Sequence, residues 1–145
     1  MNFEKDLQKA NEFLRDLAVA VGCEGDEKRA GRILRSVLRV LRRRISAEQY
    51  MDLVSQLPMC IKAVAVDGWK LSASPDKSIR NVEAFVQAVV AEDRSPAQND
   101  FGDPAEAKEI VKRCFHFLKE RIAPGEIADI EAELPGDIQD FLKEA

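Results

Sequence analysis

Between Lys28 and Arg44 the chain places Lys28, Arg29, Arg32, Arg35, Arg39, Arg42, Arg43 and Arg44 without one acidic residue. The segment carries +8 in a protein of net charge −4, which leaves −12 for the remainder. Lys28, Arg32, Arg35, Arg39 and Arg42 recur at spacings of four and three, so on a helix they share one stripe. With Arg43 beside it, such a stripe can neutralise phosphates or dock the acids of another protein. The plainer chemistry, and the preferred one in an acidic chain, is a solvated helix face whose charges pair with carboxylates of neighbouring helices or of another copy.

Few other residues have the type and spacing for chemistry. His116 is the only histidine. General acid-base work needs a positioned partner that the sequence does not display, so an exposed position is expected. Cys114 and His116 stand two apart, on divergent helix faces, and do not make a metal pair. Cys23, Cys60 and Cys114 are odd in number and widely spaced, which reads as reduced thiols of a cytoplasmic protein. Cys114 falls at a core position, and Cys23, beside Gly22, is expected to be the more accessible. Asp52 and Asp129 read as caps or as partners of Arg44 and Arg121. No Gly-rich phosphate loop, nucleophile elbow, paired-histidine zinc motif or calcium loop occurs. An enzyme is therefore not expected, nor a cofactor or a metal. Trp69 is expected to seal a core edge, with an anchor for a partner as the sharper alternative.

These groups must be carried by helices. Phe3, Leu7, Ala10, Phe13, Leu14, Leu17, Ala18 and Val21 form one apolar stripe, stopped by Gly22. Asp26 can cap a second helix that buries Ala30, Ile33, Leu34, Val37, Leu38 and Leu41. Ser46-Ala-Glu-Gln49 has the form of a capping box for a third, and Leu57-Pro58 should end it and open a fourth. After a connector, Ser78 can cap a fifth helix carrying Ile79, Val82, Phe85, Val86, Val89 and Val90. A loop with Pro96 and Asn99 then leads to Asp103-Pro-Ala-Glu106, which predicts a sixth helix start, and Pro124 and Pro135 open the seventh and eighth. No stretch alternates as a strand would, and no apolar run approaches the ~18 residues of a membrane span.

The chain also repeats itself. Arg44-Ile-Ser to Gln56-Leu-Pro58 returns as Arg121-Ile-Ala to Glu133-Leu-Pro135, an offset of 77, which also pairs Gly25-Asp26 with Gly102-Asp103. Phe13 and Phe85 match at 72, so five extra residues enter before Gly102. Two similar halves, 1–69 and 78–145 joined by a connector at 70–77, predict one all-α domain of about eight helices, two tandem four-helix repeats packed with approximate twofold symmetry.

Phe13-Leu-Arg-Asp-Leu17, Leu38-Arg-Val-Leu-Arg42, Arg44-Ile-Ser46, Gln56-Leu-Pro58 and Asp67-Gly-Trp69 resemble the bacterial family called domain of unknown function 2267. The resemblance covers nearly the whole chain, although the second half has Glu133-Leu-Pro135 and no tryptophan. It implies an all-helical cytoplasmic protein, without an established activity and with a loose association with stress. The expected role is a non-catalytic interaction or structural module, with an unknown protein partner or a second copy and no membrane. The alternative is nucleic-acid or other polyanion binding through Lys28, Arg32, Arg35, Arg39, Arg42 and Arg43.

Overall fold

Local signals decide where most helices begin and end. The computed structural model describes residues 2–70, 75–93 and 99–145. Through them run α1 (Phe3–Val21), α2 (Glu27–Arg44), α3 (Ala47–Ser55), α4 (Met59–Val66), α5 (Val82–Glu92), α6 (Pro104–Arg121), α7 (Pro124–Glu133) and α8 (Gly136–Glu144), with no strand among the described residues. Residues 71–74 of the expected connector and the loop proline Pro96 lie outside the described residues. Asp26 accepts the Arg29 amide at 3.0 Å and Asp103 the Glu106 amide at 2.8 Å, each satisfying a first-turn N–H that has no partner within the helix. Gly22 ends α1 at φ 88°, a left-handed geometry that glycine adopts without steric cost.

Two expectations yield to tertiary packing. The fifth helix starts at Val82, capped by Asn81 rather than Ser78. Ser78 instead donates its hydroxyl and its amide to Asp76, at 2.6 and 3.0 Å. Ile79 is buried and its carbonyl accepts from Arg44 at 3.0 Å, which pins this stretch before the helix can begin. At the other end of the sequence, Phe3 and Leu7 are 76% and 56% exposed. The apolar stripe of α1 meets the core only from Ala10 onward, so its first two turns overhang the bundle.

Helix α2 packs against α1, α3, α4, α5 and α6, and α6 packs against α1, α2, α5 and α8. Helix α1 also meets α4, α5 meets α8, α3 meets α4 and α7, and α7 meets α8. Each half thus lends its first helix to the long helix of the other. Ser36 and Val40 of α2 are buried in addition to the expected stripe, because a face left to solvent by the sequence reading is covered by packing. The core joins both halves: Leu17, Leu38, Val89, Val111, Phe115 and Ile138 belong to one cluster. Phe13 and Phe117 meet edge to face at 5.0 Å across α1 and α6, a geometry contributing about 0.5–1.5 kcal/mol beyond area burial.

Candidate interaction surfaces

The basic stripe of α2 points at other parts of the chain. Arg32 grips the Asp100 carboxylate with two parallel bonds, 2.8 and 2.9 Å, while Arg29 forks onto the Asp100 carbonyl at 3.2 and 2.7 Å. Asp100 is 1% exposed. Such a planar, charge-assisted fork is the strong form of an ion pair. Arg32 beside it holds the Asp100 carboxyl below the usual range, and the Asp93 side chain hydrogen-bonds it as well. Further along, Arg39 reaches Asp67 at 3.2 Å and Glu92 at 3.9 Å, and Arg43 reaches Glu92 at 2.8 Å. Arg42 donates to the carbonyls of Ala65 and Asp67, at 3.2 and 2.6 Å, and so satisfies the free C-terminal carbonyls of α4. Burial lowers the Arg42 pKa, with Arg39 nearby adding to the effect. Lys28 is exposed and Arg35 half-buried, and neither makes a hydrogen bond or ion pair among the described residues. Arg39 Nε is buried without a hydrogen-bond partner among the described residues.

The remaining candidates are scattered. Trp69 is partly buried against the core and meets Tyr50 edge to face at 5.0 Å. Burial pushes the Tyr50 phenol up, and its hydroxyl donates to the Ala65 carbonyl at 2.7 Å. His116 is exposed and pairs with Glu120 at 2.9 Å. Cys114 is fully buried, which pushes its thiol up to about 12. Cys23 is also buried but, as expected, is more accessible than Cys114, 9% against 0%, and Cys60 is more exposed than either. The side chain of Cys23 turns inward beside α2, where its thiol meets the Asp26 carbonyl at 3.6 Å. Asp52 and Asp129 do not bond Arg44 and Arg121. Arg44 serves Ile79, while Arg121 lies 3.6 Å over the Phe117 ring and pairs with Asp16 at 3.3 Å. Among the described residues no cluster of three metal-ligating side chains occurs, and no helix is long and apolar enough to cross a membrane.

Sequence reading missed a surface of the opposite sign. Helices α3 and α7 pack on each other and are tied at both ends by reciprocal caps. Ser46 donates its amide and its hydroxyl to Glu133, at 2.7 and 2.9 Å, and Ala123 donates its amide to Gln56 at 2.7 Å. The Ser46 side chain accepts the Gln49 amide as expected, but Glu133 of α7, not Gln49, takes the Ser46 amide. The pair carries Glu48, Asp52, Glu126, Asp129, Glu131 and Glu133, and neither helix has a lysine or arginine. No ion pair among the described residues engages these carboxylates. Desolvation raises the Glu126 pKa first, and Asp52, Asp129 and Glu133 add to the rise. Met51, 49% exposed, stands among them with the exposed small residues Ser55, Ala128 and Ala132. The signal was available in the net −6 of residues 99–145, but charge alone does not say which helices face each other.

No curated protein matches the chain. Residues 10–141 match the sequence profile of the family described as uncharacterized conserved protein (DUF2267). The match opens at Ala10, where α1 first becomes buried, and takes in α2 to α7 whole with most of α8. Over that span the chain belongs to the DUF2267 family.

Proposed function

We propose that this protein is a non-catalytic interaction module that receives a basic partner on the joined outer faces of α3 and α7. The observation that carries the reading is that α3 and α7, packed on each other, carry six carboxylates and no lysine or arginine, with none of the six in an ion pair among the described residues. Burial first, then Asp52, Asp129 and Glu133, raise the Glu126 carboxyl among them. Buried or half-buried acids such as Asp100 and Glu92 have arginine partners instead. Like charges held together without a counterion cost stability, and a lysine- or arginine-bearing helix laid over Met51 would both relieve that cost and cover apolar surface. The test is calorimetric titration with a synthetic basic amphipathic peptide at low and high salt. Binding that weakens with salt, and is lost in Asp52→Asn/Asp129→Asn but kept in Glu83→Gln, supports the reading. Equal affinity for all three proteins sinks it.

The architecture of this module is, on the same proposal, a duplicated unit about an approximate twofold axis. Three details support it. Exchanging α1–α4 with α5–α8 turns the packing pair α1·α6 into α5·α2, and α1·α4 into α5·α8. The caps Glu133 to Ser46 and Gln56 to Ala123 exchange under the offset of 77. Lys119, at the position equivalent to Arg42, donates to the carbonyls of Leu142, Lys143 and Ala145, as Arg42 does at the end of α4.

A further inference from the structure

We propose that the basic row of α2 is a binding site for a nucleic-acid backbone, held closed in cis by the carboxylates of Glu92, Asp93 and Asp100. The inference concerns different helices from the acidic face and stands independently of it. All three carboxylates come from the end of α5 and the connector to α6, and they follow the row from Arg43 through Arg39 to Arg32. The fork that Arg32 makes with Asp100 is the geometry with which a guanidinium takes a phosphate. The second half does not repeat the basic row: 77 residues on, Arg29 and Arg32 are replaced by Glu106 and Glu109.

Not every donor is used by the internal acids. Lys28 is exposed, and among the described residues Arg35 is without a bond and Arg39 Nε is buried without an acceptor. A polymer of phosphates engaging Lys28 and Arg35 can exchange its oxygens for those of Glu92 and Asp100, one acceptor for another on the same guanidinium. Covalent attachment gives the internal acids an effective concentration of the order of millimolar, so they compete strongly with an external anion. Loss of one of them therefore unmasks affinity.

The experiment is fluorescence anisotropy at low salt with a short labelled single strand, its duplex, and inorganic polyphosphate as a third probe. Glu92→Gln and Asp100→Asn are compared with Glu83→Gln, which removes the same charge from an exposed position of α5. The expected result is tightening of about tenfold in both cis-acid variants relative to Glu83→Gln, with a salt slope near −3.5 to −4.5 for about five phosphates. Arg35→Glu added to Glu92→Gln should return binding to the Glu83→Gln level. Glu92 lies at the surface end of α5, so Glu92→Gln decides the matter even where Asp100→Asn does not fold. Circular dichroism showing Glu92→Gln folded, with neither nucleic-acid probe held more tightly than by Glu83→Gln, overturns the proposal. Tightening toward polyphosphate alone overturns the assignment to nucleic acid.

Discussion

Glu126 and Asp100 are carboxylates perturbed in opposite directions, and each makes a pH prediction. Burial and three neighbouring acids raise Glu126, so its ionisation costs stability: the favourable state is complete below the unfolded pKa and is lost as pH rises through the folded one. Its counterpart at the offset of 77 is the uncharged Gln49. Glu126→Gln should therefore melt higher than wild type at neutral pH, by an amount within about 0.5 kcal/mol, and the advantage should vanish in acid. Asp100 is lowered by Arg32, so its contribution is present above the unfolded pKa and is lost as pH falls through the folded one. Asp100→Ala strands Arg32 and should cost about 3 kcal/mol by urea unfolding, the low end for breaking a buried pair, since the Arg32 side chain keeps 27% of its exposure. An unchanged acid limb of the stability curve in that variant would contradict the assignment.

At the scale of the helix, the caps test how far α3 and α7 depend on each other. Ser46→Ala and Glu133→Gln, made singly and together, should each cost about 1 kcal/mol and show coupling, because Glu133 accepts from both the amide and the hydroxyl of Ser46. Strict additivity of the two losses counts against the cross-cap. Leu57→Ala and Leu134→Ala, buried at the ends of these helices, should each lose about 2–5 kcal/mol in denaturant melts. Legibility followed the same division between local and distant. Asp26, Asp103, Gly22 and Pro124 announced helix ends because each acts on amides or backbone torsions within a few residues of itself. Ser78 misled because the start of α5 is set by Ile79 in the core and by Arg44, 35 positions away. The α2 stripe was visible in full, but its partners were not: Arg32 meets an acid 68 positions away, and Ser46 one 87 positions away. No spacing rule reaches that far.

In the whole molecule, α1 packs on α6 and α5 on α2, so each half is completed by the other. Unfolding should accordingly be a single transition. Trp69 fluorescence, reporting the first half, and far-ultraviolet dichroism, reporting all helices, should give superimposable urea curves. An early fluorescence transition would mean that the first half melts alone. The exchange of helices also imposes an order on biosynthesis. When α2 leaves the ribosome, α5 and Asp100 have not been made, and Arg32 must wait for a residue 68 positions later. At a synthesis rate of about 5–20 residues per second, that interval is roughly 3 to 14 s. Early in those seconds the nascent chain carries eight positive charges on one segment, of which the finished form engages six, Arg39 with an acid only 28 positions away and Arg32 last.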